Sequence, residues 1–159
     1  MIKGLISLLT ILFGNPKTLT AEEFKLAWEY TEDNVTFTVS APTKGWVAVG
    51  FTADDKIVAT NLIMLKVDDD LVYGEDQFVT GMGQHPTINS LGGVSRISNI
   101  QGTEKGKQTT VSFTIPAKKL DQYHFDLSEG NEINIWLAWS ISDDFDHHSR
   151  KRILRTLKL

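Results

Sequence analysis

The chain contains no cysteine among its 159 residues. This absence excludes disulfide bonds, thiolate zinc sites, covalent c-type haem attachment and cysteine nucleophiles. Any metal or metal cofactor must therefore be bound by histidine, methionine, carboxylate, lysine or tyrosine side chains.

The charge balance and the lack of known catalytic motifs argue against nucleic-acid binding and against several classes of enzyme. The formal net charge is −4, so nothing favours nucleic acid as a partner. The sequence has no Gly-x-Ser-x-Gly elbow, no glycine-rich phosphate-binding loop and no His-Glu-x-x-His motif. We therefore expect a binding domain without its own catalytic centre rather than an independent enzyme.

The N-terminus has the pattern of an export signal. Lys3 precedes an apolar run over residues 4–14, which is too short to cross a bilayer as a helix. Asn15-Pro16-Lys17 ends the run, and Leu19-Thr20-Ala21 is the candidate cleavage region. We predict a signal peptide over residues 1–20 and a domain over 21–159, in a secreted or periplasmic protein with no stable membrane span. The alternative is an apolar segment that packs on the domain.

The remaining sequence is typical of an all-β protein. Residues 35–39 alternate apolar and polar side chains with period two, and residues 45–51 are almost all apolar, which favours a central strand buried on both faces. Strands are predicted at 24–30, 35–39, 45–51, 61–67, 71–79, 94–101, 108–115, 132–141 and 153–159, with a hairpin loop at 102–107. This spacing predicts an antiparallel, immunoglobulin-like β-sandwich of about nine to eleven strands.

Acids and histidines cluster after the predicted strand 132–141. Adjacent side chains on an extended chain point to opposite faces, so His147 and His148 are not expected to bind one ion together. Either one of these two histidines faces the interior or a ligand while the other faces water or a carboxylate, or both are loop histidines that make hydrogen bonds. The preceding acids, Asp143, Asp144 and Asp146, would orient a histidine, bind a hard cation or lie in a solvated loop.

Further candidates lie elsewhere in the chain. Met64 is either core filler or a thioether ligand, and Met82 and His85 lie in a loop that would close over a pocket or remain a surface loop. Trp46, Trp136 and Trp139 are candidate stacking surfaces. His124 is expected to be structural, and Asp68-Asp69-Asp70 to form a hairpin turn rather than a calcium loop, which would need glycine at its sixth position. The basic C-terminus, which includes Arg150, favours an edge strand or contact with an acidic group.

Six segments, taken in order, resemble a DOMON domain, the β-sandwich of extracellular haem cytochromes of the cellobiose dehydrogenase type that also occurs beside copper monooxygenase domains. They span roughly residues 23–152 and are GWVAVGF (45–51), TNLIM (60–64), EDQF (75–78), TVSFTIP (110–116), IWLAWS (135–140) and DDFDHHSR (143–150). The resemblance implies a ligand-binding sandwich, with haem or sugars as the usual ligands.

The resemblance also implies specific site residues. His148 falls where haem-binding members have an axial histidine, with His147 beside it. The position of their axial methionine is held here by Ile57, so the resemblance leaves Lys56 or Met64 as the second ligand of a haem b. Asp146 would orient the imidazole, Arg150 would meet a haem propionate, and Trp46, Met82 and His85 would belong to the ligand-binding region.

Three functions stay open at the level of sequence. The first is an exported b-type cytochrome domain that transfers electrons to a redox partner protein. The second is a module that binds a carbohydrate or similar small ligand without haem. The third is a structural domain that positions a partner in an exported complex.

Overall fold

A computed structural model describes residues 15–159 of the chain. The apolar run of the predicted signal peptide lies outside the described residues. The predicted boundary between residues 20 and 21 falls inside the first strand, Lys17–Ala21, which pairs along its whole length with the second strand. Export and cleavage stay predictions.

Ten strands form two five-stranded antiparallel sheets, which confirms the predicted β-sandwich. The sheet orders are β1-β2-β3-β8-β7 and β10-β9-β4-β5-β6. Between residues 15 and 159, no helix is long and apolar enough to cross a membrane. The strands are β1 (Lys17–Ala21), β2 (Phe24–Thr31), β3 (Asn34–Ala41), β4 (Val47–Thr52), β5 (Asn61–Asp68), β6 (Leu71–Phe78), β7 (Ser98–Lys105), β8 (Gln108–Pro116), β9 (Glu132–Trp139) and β10 (Lys151–Lys158), with a short 3-10 helix at Ile88–Leu91.

Alternating side chains build the core between the two sheets. On β3 every second residue is buried, and β8 repeats this pattern. Phe37 and Phe113 meet Phe51 of the opposite sheet, with ring centroids 5.1 to 6.5 Å apart. Burial of such large aromatic side chains is a main source of stability in a sandwich of this size.

Strand β4 is buried on both faces, as its apolar sequence predicts. Val47, Val49 and Phe51 face the core between the sheets, whereas Ala48 belongs to a separate apolar cluster on the outer face. That second cluster contains Trp46, Ala48, Met64 and Ala138, with Leu62 and Phe145 packed against it. Part of the outer face of this sheet is therefore covered by Phe145 and other parts of the chain.

The prediction for the seventh strand was wrong in its bounds. The strand predicted at 94–101 begins at Ser98 and continues to Lys105, so most of the predicted loop 102–107 is strand. Gly106, at φ +61°, provides the turn into β8. Apolar patterning misses this edge strand because its side chains are polar and solvated, and a bulge between Ser98 and Gln101 shifts its register.

One other turn and one edge strand agree with the sequence. Asp69 and Asp70 both have positive φ, at 49° and 63°, and join β5 to β6 in a tight hairpin, so the acidic turn is confirmed. The basic strand β10 lies at the edge of its sheet, as predicted.

Candidate ligand-binding site

Small side chains create a cavity on the outer face of the sheet that contains β4. Ala48 lies directly opposite Met64 on one side and Ala138 on the other. The two alanines leave space above the sheet, and Met64 and Trp136 flank that space. The resulting cavity has a volume of about 300 Å³, at the lower end of the range for small-molecule sites.

Two loops from opposite ends of the sheet wall this cavity. Phe78 at the end of β6 pairs with the first residue of β5, whereas Trp139 at the end of β9 pairs with the first residue of β4. The segments that follow, 79–87 and 140–150, therefore start at opposite ends of the sheet. Both fold over its outer face, and Phe145 of the second loop packs on the apolar cluster.

Both adjacent histidines line the cavity, but only one has a fixed ring. The Nδ1 atom of His147 lies 3.1 Å from the Ser140 hydroxyl and 3.1 Å from the carbonyl oxygen of His148. Ser140 is fully buried and donates its own hydroxyl proton to the same carbonyl at 3.0 Å. A carbonyl can only accept, so the proton of a neutral His147 lies on Nδ1 and leaves the Nε2 lone pair free. The ring of His148 makes no hydrogen bond to the rest of residues 15–159.

His85 is fixed in a comparable way from the other loop. Its Nδ1 atom lies 2.7 Å from the amide oxygen of Gln77, which is 3% exposed. The Gln77 amide nitrogen donates to Glu75 at 2.6 Å, and this contact sets which end of the amide faces His85. His85 therefore donates through Nδ1, and its Nε2 atom is free to accept a proton or bind a metal.

Two thioethers also line the cavity in different settings. Met64 is 2% exposed and packs into the floor with Trp46 and Ala48. Met82 is 78% exposed on a turn whose ends, Gly81 and Gln84, form an isolated bridge. The sequence predicted Met64 on a buried strand and Met82 in a loop, and both placements agree.

The structure brings most of the predicted site residues together and leaves two away from the lining. Those at the cavity are Trp46, Met64, Met82, His85, Asp146, His147 and His148. Ile57, which holds the position of the family's methionine, also lines it. The side chains of Lys56 and Arg150 are exposed and do not line it. Lys56 contributes only its carbonyl oxygen, which accepts a hydrogen bond from the indole of Trp136 at 3.4 Å.

Gln77 and Ser140 were not predicted from the sequence, and Arg152 was predicted only as one of the basic residues of the C-terminus. Arg152, rather than Arg150, lines the cavity because β10 pairs it with Ala138, and its guanidinium lies 5.7 Å from the Trp136 ring. Gln77 and Ser140 escaped because nothing in the sequence shows that they would face a histidine ring. The alternation of the C-terminal strand was the one sequence feature that could have indicated which face Arg152 occupies.

The tryptophans and acids have mixed environments. Trp46 is 4% exposed, and its indole N–H has no partner within residues 15–159. Trp139 donates to Glu23 at 3.0 Å.

Burial raises the pKa of the Asp143 carboxyl above its usual value. Residues 15–159 contain no cluster of three or more histidine or acidic side chains arranged to bind a metal ion.

Comparison with known proteins gives one family and related folds. The DOMON domain family model matches residues 20–140. A 62-residue segment is 29% identical to MOXD1 homolog 2 of Drosophila melanogaster, covering 39% of this chain and 8% of that protein.

Two solved structures share the fold. The cytochrome domain of Myriococcum thermophilum cellobiose dehydrogenase has a TM-score of 0.67 at 13% identity, covering 92% of this chain and 82% of that one. The cytochrome b domain of pyranose dehydrogenase from Coprinopsis cinerea has a TM-score of 0.62 at 9% identity, covering 84% and 75%. At these identities the likeness shows the shared fold.

Proposed function

The chain belongs to the DOMON domain family, and from that premise we propose that it is an exported domain that binds a b-type haem and transfers electrons. The haem would occupy the cavity above Ala48 and Ala138. When bound, haem supplies an iron centre that takes up and releases one electron. The domain would need no catalytic centre of its own and would pass electrons to a partner protein.

The observation that supports this proposal most is the combination of an apolar floor with metal-binding side chains from two loops. Apolar walls favour a porphyrin, and imidazole nitrogens are its usual axial donors in proteins. The loop after β9 supplies His147 and His148, and the segment after β6 supplies His85. The donor set of the cavity therefore fits haem.

The side chains around these donors have distinct roles in the proposal. One iron-binding nitrogen would come from the 147–148 pair, in which the family resemblance points to His148. The sequence left Lys56 or Met64 as the second ligand; Lys56 lies away from the lining, so Met64 in the floor would remain. Arg152 would take the place expected for Arg150 as a cation for a haem carboxylate, and the Trp46 N–H, which has no partner within residues 15–159, would donate to an acceptor on the ligand.

The alternative of a carbohydrate module has weaker support from this cavity. Sugar rings stack on exposed aromatic faces, but Trp46 is buried and the Trp136 ring already contacts Arg152. Few neutral hydrogen-bonding side chains line the cavity. A purely structural role would leave the cavity donors without a use.

An absorption titration tests the proposal directly. Adding ferric haem to purified protein should give a saturable, shifted Soret band with one haem per chain. The double variant His147→Ala/His148→Ala should weaken haem binding by at least tenfold. Arg150→Ala, in the same segment but away from the lining, should bind as the unaltered protein does.

Absence of a Soret shift in folded protein would contradict haem binding. Saturable binding of a soluble oligosaccharide by the same sample would then favour the carbohydrate alternative. Binding that survives the double histidine change would contradict the placement of haem in this cavity.

A further inference from the structure

We infer that the two iron donors are the Nε2 atoms of His85 and His147, so that the haem is ligated by two histidines. This inference rests on the proposed function and assigns its ligand set. It replaces both the family-based choice of His148 and the choice of Met64. It depends on which imidazole rings are held in place by a hydrogen bond at Nδ1 that leaves Nε2 free to bind a metal.

The chain lacks a donor at the methionine position of the family. Ile57 occupies that position and lines the cavity, but its side chain is a hydrocarbon. Met64 is only 2% exposed because it packs with Trp46, Ala48 and Ala138 in the floor. A second donor must therefore come from another element.

His85 has the environment of a metal-binding histidine. Such histidines almost always donate their second ring N–H to a carboxylate, a backbone carbonyl or water, which fixes the ring and raises its basicity, and a side-chain amide oxygen is an acceptor of the same kind as a backbone carbonyl. Gln77 provides this acceptor at 2.7 Å, and the Glu75 contact holds the amide in the required orientation. Because Gln77 lies on β6 and is buried, the ring is anchored to the sheet itself.

His147 meets the same condition at the other loop. Its Nδ1 proton is shared between the His148 carbonyl and the Ser140 hydroxyl. Ser140 is anchored in turn, because it accepts the backbone N–H of Ser142 at 3.2 Å and donates to the His148 carbonyl. His148 contributes its backbone carbonyl to this arrangement, and its own ring makes no such hydrogen bond to any residue between 15 and 159.

The two prepared rings belong to loops that enter from opposite ends of the sheet. Porphyrin iron offers its two free coordination positions on opposite faces of the ring plane. Two loops that wall one cavity from opposite ends of the sheet suit that demand better than two adjacent histidines of one loop, although both His147 and His148 line the cavity because residues 145–147 form a turn rather than an extended strand. His85 and His147 both line the single cavity that the loops enclose.

The spectrum of haem-loaded protein tests the ligand set. The full chain should give a low-spin, six-coordinate ferric spectrum without the sulfur-to-iron charge-transfer band that a thioether ligand produces. His85→Ala and His147→Ala should each convert it to a high-spin spectrum and speed haem loss at least tenfold. Added imidazole should restore the low-spin spectrum in each variant, which separates loss of a ligand from misfolding.

Rival donors are changed in parallel. His148→Ala, Met82→Leu and Met64→Leu should keep the low-spin spectrum, and Arg150→Ala is the control outside the lining. Ser140→Ala and Gln77→Leu should keep two nitrogen ligands but weaken haem binding, by tenfold to a hundredfold, since they remove only the positioning contacts. If the unaltered protein binds no haem, the proposed function and this inference both fail.

Other results overturn the ligand set alone. A thioether band in the unaltered protein, abolished by Met82→Leu or Met64→Leu, would leave haem binding intact and refute the histidine pair. A high-spin shift in His148→Ala but not in His147→Ala would return the assignment to His148.

Discussion

A single buried histidine away from the cavity shows how much of the fold depends on polar contacts. His124 is 4% exposed and lies between two carboxylates, with Nδ1 at 2.7 Å from Asp121 and Nε2 at 2.9 Å from Asp76. Asp76 also accepts the side chain of Asn61 and the backbone N–H of Arg96, each at 2.7 Å. The expectation that His124 is structural agrees with this network, which ties β5 and β6 to the segments before β7 and β9.

The charge state of His124 gives the network a pH dependence. Burial lowers its pKa, but the hydrogen bonds to Asp76 and Asp121 outweigh burial and raise the pKa above the ordinary value. For Asp121, burial raises the pKa, but hydrogen bonds from His124, the Tyr123 backbone and Arg96 outweigh burial. The pKa of Asp121 is therefore below its ordinary value. The histidine therefore stabilises the fold fully below about pH 6.5, and this contribution is lost as the pH rises through its folded pKa. The Asp121 contribution is lost at the acid end.

We expect His124→Ala to lower the free energy of unfolding by about 3–5 kcal/mol near pH 6, because it leaves the buried Asp76 carboxylate without its cationic partner. The difference from the unaltered protein should shrink as the pH rises. Urea unfolding at pH 6 and pH 9 measures it, with His148→Ala as the exposed control. A difference that is equal at both pH values would show that lost packing, not charge, dominates.

At the scale of elements, alternation predicted nine of the ten strands, but it missed β1 and misplaced the bounds of β7. Strand β3 is visible in the sequence because its buried residues alternate with threonines and serine. The edge strands β1 and β7 are harder to find, because half of each is polar and solvated. Residues 17–20, which the predicted signal peptide includes, pair with β2, and their removal stays a prediction.

Strand β1 provides a test at this scale. It pairs with β2 at five positions and buries Ala21 and part of Leu19 against the core. A chain that begins at residue 22 should be less stable than one that begins at Asn15 by at least about 2 kcal/mol, since each lost hydrogen bond contributes roughly 0.5–1.5 kcal/mol. Urea unfolding of both forms measures this loss. Equal stability would mean that β1 is dispensable and that cleavage near residue 20 leaves a complete domain.

For the whole molecule, the sequence predicted the sandwich and seven of the cavity residues but not which charged side chains reach the cavity. That choice depends on strand register. Arg152 lines the cavity because it lies opposite Ala138, and Arg150 precedes the strand. Loop hydrogen bonds made by Gln77 and Ser140 join residues that are distant in sequence or lie on opposite sides of a turn. Apolar periodicity carries no information about either.

Since the cavity is enclosed by loops from opposite ends of one sheet, haem bound there should stabilise the whole native fold. A ligand that binds only the native state at a free concentration of 100 times its Kd adds about 2.7 kcal/mol. For a domain of this size, that corresponds to a rise in Tm of roughly 5–10 °C. Calorimetry of apo and haem-loaded protein measures the rise, which should fall in His85→Ala and His147→Ala. A Soret band without any rise in Tm would mean that haem binds the unfolded chain as well as the native one. That result would contradict binding in this cavity.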